Sequence, residues 1–164
     1  MMYFVGAFTQ NYAMGKDGHL PWRDTPMKHD TARLKQLITG KALVMGERTY
    51  HDYKDIGKTF QTKNVWVLSK NKKSLQGAKI HSSVQEVIAL AKHQDIWVIG
   101  GGQIFKALLP YADVMYLTRV ETVLPGDTFF PQYSESEWDV TEQHFLADED
   151  NPYPYTFIEL RRKH

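Results

Sequence analysis

Length, composition and charge exclude several classes of protein before any motif is considered. The chain has 164 residues, of which 42% are hydrophobic and 24% are charged, and this is typical of one globular domain. Its formal net charge of +1 provides no basic surface for nucleic acid or for an anionic membrane, so the expected partner is a small molecule. The absence of cysteine excludes disulfides, thiol catalysis and cysteine-bound metals.

Signals for membrane insertion or export are also missing from the sequence. Every apolar run is shorter than the ~20 residues of a membrane-spanning helix. The apolar segment 1–8 has no basic leader and predicts a first strand rather than a signal peptide. We therefore expect a cytoplasmic protein.

Strand-like and helical segments alternate along most of the chain. Short apolar segments predict strands at 3–8, 42–45, 65–68, 96–99 and 114–118. Alternation with helices is typical of a mostly parallel sheet covered by helices on both faces. The segments 138–145 and 155–160 are joined by turn residues without a helix and predict an antiparallel edge. The sequence therefore predicts a single α/β domain with a mixed sheet of about eight strands and an antiparallel C-terminal edge strand.

Two helices have recognisable signals of their own. A helical period over 33–38 predicts a helix after Pro26. Ser83, followed three residues later by Glu86, forms a capping box that predicts a helix over Val84–Ala91.

Three consecutive glycines, Gly100, Gly101 and Gly102, follow the buried strand segment 96–99. The next segment, 103–109, has apolar residues at helical spacing and then meets a proline. A strand, a glycine turn and a helix in this order leave backbone N–H groups open at a helix N-terminus, where the helix dipole favours a phosphate. A tight strand–helix connection without a ligand is the alternative.

The same order of strand, glycine and helix start occurs at 45–50, around Gly46. Two helix N-termini are then expected at one edge of the sheet, where a single diphosphate would bridge both. A structural turn glycine is the alternative at each position.

The long loop 10–23 follows the first strand and contains two glycines together with Leu20, Pro21 and Trp22. Apolar residues in a loop need something to cover, so this loop is predicted to fold over a ligand rather than to be a plain surface loop. Near the C-terminus, Asp127 either braces a neighbouring loop through backbone N–H groups or simply initiates a turn.

Asp30 faces the same way as Leu34, one helical turn later. Burial of a carboxylate is unfavourable unless the group is paired or neutralised, so Asp30 is either a functional acid or a helix-start carboxylate.

The seven histidines show no spacing typical of a metal site, and no serine lies in a glycine-flanked elbow, so no metal and no acyl transfer are predicted.

Taken together, these features resemble the dihydrofolate reductase family across essentially the whole chain, 1–164. The stretches that carry the resemblance are MGKDGHLPW at 14–22, Asp30, VMGERTY at 44–50, WVIGGGQIF at 97–105 and GDTFFP at 126–131. The resemblance implies reduction of 7,8-dihydrofolate to tetrahydrofolate by hydride transfer from NADPH. It also implies an adenosine-binding subdomain at roughly 41–95 and sensitivity to antifolate inhibitors, and we expect a monomer.

The resemblance assigns the catalytic roles to Asp30, Trp22, Thr118 and Leu20. Asp30 would bind the pterin 2-amino group and ring N3 and favour protonation of N5, while Thr118 would bond its carboxylate. Trp22 would hold a bridging water, and Leu20 would close over the nicotinamide. The implied substrate-binding residues are Val5, Gly6, Asp30, Thr31, Leu34, Lys35, Phe60, Lys63, Ile99 and Thr118.

The cofactor-binding residues that the resemblance implies follow the strand ends and the loop. They are Ala7, Met14, Gly15, Leu20, Gly46, Glu47, Arg48, Thr49, Leu68, Ser69, Lys70, Gly100, Gly101, Gly102, Gln103 and Ile104.

The sequence departs from the family's pattern at three site positions. Lys63 replaces the arginine that grips the folate α-carboxylate with two prongs, and lysine retains the charge without the fork. Thr31 stands where an apolar residue is usual, and Glu47 occupies an often basic position near the adenosine 2′-phosphate, where Arg48 and Lys70 would compensate. These departures leave two alternatives: a reductase of another pterin or of a pyrimidine nucleotide, and a nucleotide-binding module without turnover.

Overall fold

A central sheet of eight strands organises the described part of this computed structural model, residues 1–71 and 74–164. The sheet strands are β1 (Met2–Thr9), β3 (Leu43–Gly46), β4 (Val65–Leu68), β5 (Lys79–His81), β6 (Ile96–Val98), β7 (Val114–Val120), β9 (Trp138–Phe145) and β10 (Tyr155–Arg162). Two short strands, β2 (Ala13–Gly15) and β8 (Thr128–Phe129), pair separately with each other. The helices are α1 (Lys28–Ile38), α2 (Glu47–Asp52), α3 (Ile56–Thr59), α4 (Val84–Ala91) and α5 (Gly102–Leu108).

The strand order across the sheet is β5-β4-β3-β6-β1-β7-β10-β9. Pairing is parallel from β5 to β7 and antiparallel where β10 meets β7 and β9. The mixed, mostly parallel sheet predicted from the alternation of segments is therefore confirmed. This topology brings the carboxyl ends of β3, β6, β1 and β7 to one edge, which is where ligands bind in such sheets.

Alternating side chains of the central strands supply hydrophobic clusters on both faces of the sheet. Phe4 of β1 packs with Phe105 of α5 and Val87 of α4, whereas its neighbour Val5 packs with Ile38 of α1. Successive residues of a strand point to opposite faces, so central strands that are apolar throughout require helices on both sides. The two-faced coverage predicted from the apolar segments is confirmed.

The last two strands form the antiparallel hairpin expected at this edge of the sheet. The final strand β10 lies between β7 and β9, so β9 is the outermost strand and β10 is one strand further in. Side chains reflect this order, because β10 is mostly buried whereas six consecutive residues of β9 are exposed.

The range predicted for α4, Val84–Ala91, is confirmed, whereas its cap and the end of the helix after the glycines differ from prediction in small ways. The helix after the glycines ends at Leu108, because Leu109 and Pro110 continue as a short 3₁₀ turn. At α4 the Ser83 hydroxyl accepts the Glu86 N–H at 3.3 Å, but the Glu86 carboxylate accepts from the N–H of Ser82 rather than from that of Ser83. The capping box is therefore formed in one direction only. Among the described residues, no helix is both long and apolar enough to cross a bilayer.

Candidate active site

A cleft of about 510 Å³ opens where β3 and β6 end and the loop 10–23 passes over them. The predicted cofactor residues that line it are Met14, Gly15, Leu20, Gly46, Glu47, Arg48, Thr49, Leu68, Gly100, Gly101, Gly102, Gln103 and Ile104, and Ile99 of the predicted substrate set joins them. Five further lining residues are not predicted from the sequence: Gly18, His19, Asp52, Tyr53 and Thr128. All five lie within or beside segments that carried the resemblance, so proximity in sequence was an available signal.

Backbone from two glycine turns forms one wall of the cleft. The Gly46 N–H donates to the Gly100 carbonyl at 2.9 Å, which joins the turn after β3 to the turn after β6. Gly100 has φ +139°, a conformation that side chains disfavour. The helices α2 and α5 begin at these turns. Two helix N-termini therefore meet at one edge of the sheet, as the repeated strand–glycine–helix order predicted.

Packing explains two of these glycines but not a third. A Cβ on Gly102 would lie 2.9 Å from the Phe129 carbonyl oxygen, and one on Gly46 would lie 3.1 Å from Ile104. A Cβ on Gly101, in contrast, would come no closer than 3.6 Å to any atom, the Thr49 hydroxyl oxygen. A tight connection alone accounts for Gly46 and Gly102, whereas Gly101 leaves bare backbone open to the cleft, which suits the close approach of a phosphate.

Asp127 braces the loop that covers the cleft. Its carboxylate accepts the Asp17 N–H at 2.9 Å, and its own N–H donates to the Gly15 carbonyl at 2.9 Å. The hydrogen bond from Asp17 lowers the pKa of the Asp127 carboxyl. Of the two interpretations of Asp127, the structure favours the brace.

The apolar residues of the loop separate into a buried part and an exposed part. Trp22 is buried with Met27, Val120 and Phe157, so it anchors the loop to the sheet. Leu20 lines the cleft, and its side chain is 50% exposed to solvent. Leu20 is thus available to contact a bound molecule.

Asp30 lies in the first turn of α1, and its carboxyl group faces the buried Thr118 hydroxyl on β7. Burial raises the pKa of Asp30, and the raising effect exceeds the lowering effects of the Thr118 hydroxyl, Arg33 and His29. The interpretation as a helix-start carboxylate is confirmed, and the role as a functional acid stays a prediction. Asp30 is close to a helix start, and it is also held against a polar partner on the sheet.

The helix start that carries Asp30 is capped by a residue from a distant loop. Its own N-cap residue, Met27, makes no side-chain cap, and the Asn151 amide oxygen accepts the His29 N–H at 3.0 Å instead. Asn151 is buried and is itself fixed by hydrogen bonds to Asp148 at 2.8 and 3.0 Å. The loop between β9 and β10 therefore supplies the missing cap.

Arg33 lies beside Asp30 and is a site residue that is not predicted from the sequence. Its guanidinium donates to the Leu117 carbonyl at 3.1 Å and to the Thr118 hydroxyl at 3.4 Å, and it stacks over the Phe157 ring at 4.1 Å. Burial lowers the pKa of Arg33, and the nearby Asp30 charge opposes that change. The i,i+3 spacing from Asp30 was the available sequence signal.

Four of the predicted substrate-binding residues, all of them apolar, belong to one cluster. Val5 and Phe60 are buried, and Leu34 and Ile99 pack against them partly exposed. Tyr53 belongs to the same cluster and also lines the cleft; burial raises the pKa of its hydroxyl, and so does the Asp30 charge. The acid, the apolar cluster and the cofactor cleft are thus contiguous.

The remaining predicted site residues lie around this centre. Gly6 pairs with Leu117 in the β1–β7 ladder, and Thr31, Lys35 and Lys63 are exposed. Three predicted cofactor residues are not among those that line the cleft: Ala7, Ser69 and Lys70. Ala7 packs against the cluster of Trp22, Ser69 donates to the Glu47 carboxylate at 2.9 Å, and Lys70 is exposed after β4.

Comparisons with known proteins find the same family across nearly the whole chain. A family model described as dihydrofolate reductase matches residues 1–162. The dihydrofolate reductase of Haemophilus influenzae is 37% identical, over 97% of this chain and 97% of its own length. The dihydrofolate reductase of Bacillus subtilis is 34% identical, over 99% of this chain and 95% of its own length. A structure of the Enterococcus faecalis dihydrofolate reductase complexed with NADP(H) and RAB-propyl has a TM-score of 0.85 at 27% identity, over 100% of this chain and 97% of that one. This chain belongs to the dihydrofolate reductase family.

Proposed function

We propose that the protein catalyses the NADPH-dependent reduction of 7,8-dihydrofolate to 5,6,7,8-tetrahydrofolate. The observation that carries the proposal is the carboxyl group of Asp30, held against Thr118 next to an apolar cluster and a cleft with a glycine wall. Membership of the dihydrofolate reductase family supports the same reaction.

The cofactor would lie along the cleft with its diphosphate at the joined glycine turns. Gly101 and Gly102 would present backbone N–H groups, Gly46 would let the diphosphate approach the backbone closely, and Thr49 and Gln103 would add polar side chains. Protein packing alone does not require a glycine at position 101, and the open space beside it supports this fit. NADPH supplies the hydride that reduces the pterin when it is bound. Glu47 adds negative charge to the adenosine end, where Arg48 and Lys70 would balance it.

Asp30 would orient the pterin and favour its protonated form. Its carboxylate would accept hydrogen bonds from the 2-amino group and N3 of the ring, while Thr118 holds the carboxylate from the other side. A proton at N5 makes the adjacent carbon a better hydride acceptor, and Asp30 would promote this protonation through a water held near Trp22. The raised pKa of Asp30 suits such an acid, because the protonated form then persists closer to neutral pH.

Two sets of side chains would position the rest of the substrate. The apolar wall would be formed by Val5, Gly6, Leu34, Phe60 and Ile99, most of which share one cluster. Thr31, Lys35 and Lys63 would meet the benzoylglutamate tail nearer to solvent. Leu20, with Ala7, Met14 and Gly15, would exclude water from the nicotinamide when the loop closes.

The proposal also covers the domain organisation, oligomeric state, compartment and inhibitors of the protein. Residues 1–164 would act as one catalytic domain, with residues 41–95 forming the adenosine-binding part; residues 72 and 73 of that range lie outside the described residues. We also propose a monomer that works in the cytoplasm and binds antifolate inhibitors in the pterin pocket.

The direct test follows NADPH absorbance in the presence and absence of dihydrofolate. We expect oxidation only when dihydrofolate is present. A comparison with a pterin that lacks the glutamate tail separates the alternatives. Equal or faster turnover of the shorter pterin would identify a reductase of another substrate, and calorimetric binding of NADPH without turnover of any pterin would identify a binding module.

A further inference from the structure

Arg33 lies where it can act on the proposed acid through Thr118. The β7–β10 ladder pairs Thr118 with Phe157, so the hydroxyl and the aromatic ring stand next to each other on the sheet. The guanidinium lies over that ring at 4.1 Å and donates to both Thr118 Oγ1, at 3.4 Å, and the Leu117 carbonyl, at 3.1 Å. Three contacts to rigid strands fix the orientation of the guanidinium.

The donor count at Thr118 gives this contact a chemical consequence. A threonine hydroxyl has one proton to donate and two lone pairs that accept. Arg33 occupies a lone pair, since a guanidinium donates and never accepts. The hydroxyl proton is then left for Asp30. A hydrogen bond donated to this group stabilises the ionised carboxylate more than the protonated acid.

We propose that Arg33 is a positioning residue, which directs the Thr118 hydroxyl proton to Asp30 and keeps a positive charge behind the carboxylate. This inference rests on the proposed role of Asp30 in dihydrofolate reduction. Arg33 thereby moves the balance between the acid and its carboxylate towards the carboxylate. Its effect opposes that of burial, so the two together set the pH range in which the enzyme works.

Other charged and titratable groups face this pair from each neighbouring element. They are His29 on α1, Tyr53 after α2 and Tyr155 on β10 around Asp30, and Tyr116 on β7 and Glu159 on β10 around Arg33. Glu159 is paired with Arg161 at 2.7 Å, so it does not neutralise Arg33 by a direct contact. The other groups are unchanged in every variant below and contribute equally to each profile.

The test compares rates of hydride transfer in a single turnover between about pH 6 and about pH 9. Arg33→Met removes the charge and the donors, so the acid should stay protonated to higher pH. The ratio of the rate at the high pH to that at the low pH should therefore rise about threefold. Arg33→Lys retains the charge and should restore most of the parent ratio.

Arg162 offers a matched control. It stacks over the Trp138 ring at 4.2 Å and donates to the carbonyls of Ala112 and Leu109 at 2.7 and 2.8 Å, away from the cleft residues. Arg162→Met should therefore destabilise the protein in a similar way and leave the ratio unchanged. A parent ratio in Arg33→Met, or the same rise in Arg162→Met, would overturn the inference.

Two additional measurements keep the test decisive. If Arg33→Met does not fold, Arg33→Gln removes the charge and retains a donor, and a parent ratio there would overturn the role of the charge. Infrared titration of the Asp30 carboxyl, as a difference from Asp30→Asn, reads its protonation without any cofactor and should move to higher pH in Arg33→Met and Arg33→Gln. If Asp30→Asn keeps the parent profile, the proposed acid is wrong; if Asp30→Asn flattens the profile and Arg33→Met does not change it, only the role of Arg33 is wrong.

Discussion

The cofactor cleft and the acid site around Asp30 are built in opposite ways. The cleft wall is backbone, contributed by short segments that directly follow β3 and β6. The acid site consists of side chains from separate parts of the chain, with Asp30 and Arg33 on α1, Thr118 on β7 and Asn151 in a distant loop. The first construction depends on topology and glycine, and the second depends on tertiary contacts between particular side chains.

This difference predicts how each region responds to substitution. Backbone N–H groups remain after a side chain is replaced, so the cleft should respond mainly to changes in charge or bulk. The side chains of the acid site depend on one another's hydrogen bonds, so loss of one should lower activity more than a change at the cleft wall does. Four variants, two in each region, test this difference.

Asp30→Asn should give the largest loss of activity. Removal of the acid should lower the rate of hydride transfer about 100-fold or more near neutral pH, while NADPH binding in the backbone cleft changes little. Single-turnover kinetics and fluorescence titration of NADPH measure the two quantities. Equal losses in both would contradict the separation of the two regions.

The same variant should be more stable than the parent at neutral pH. Burial raises the folded-state pKa of Asp30, so the folded protein loses stability as pH rises from the ordinary aspartate range through that raised value. Asparagine removes this cost. The difference in melting temperature should therefore be positive at neutral pH and should vanish as pH falls into the ordinary range of a carboxyl group. A lower melting temperature at neutral pH would argue against the burial.

Gln103→Glu tests the backbone cleft by charge alone. A carboxylate in the first turn of α5 would repel the diphosphate, so we expect the NADPH dissociation constant to rise about five- to tenfold. Gln85→Glu is the control, because Gln85 is the second residue of α4 as Gln103 is of α5 and does not line the cleft. Calorimetry should detect weaker binding in the first variant and parent binding in the second.

Asn151→Ala tests whether the acid site depends on its distant cap. Loss of the hydrogen bond to His29 should cost about 1 kcal/mol of stability and lower kcat/KM several-fold, because α1 then holds Asp30 less firmly. Ser83→Ala removes the cap of α4 at a similar cost, but its activity should be that of the parent. Denaturant unfolding and steady-state kinetics on both variants check this. If both variants lose activity equally, the effect is general destabilisation.

Glu47→Gln should produce the smallest change, and in the favourable direction. The carboxylate lines the cleft near the proposed adenosine site, so its neutralisation should lower the KM for NADPH about threefold at low salt. NADH lacks the 2′-phosphate, and its KM should change little. An unchanged ratio of the two KM values would show that Glu47 does not face that phosphate.

Elements that depend on local chemistry and periodicity could be predicted from the sequence alone. Apolar segments identified the central strands, the helix period and the Ser83 cap identified helices, and the order of strand, glycine and helix located both turns of the cofactor cleft. Parallel strands gather their carboxyl ends at one edge whichever side chains follow, so these turns had to meet. The quoted motifs then identified the family and directed attention to Asp30.

The side chains that surround Asp30 come together only through tertiary contacts. The sequence contains no signal that Asn151 caps α1 from 122 residues away, nor that Arg33 reaches Thr118 across 85 residues of chain. Ser69, Lys70 and Ala7 are predicted to bind the cofactor, and the folded chain places them outside the set of residues that line the cleft. Side-chain contacts of this kind depend on the register of β7 against β10 and on how α1 packs over both strands. Local sequence carries neither, because both are set by the burial of the whole core.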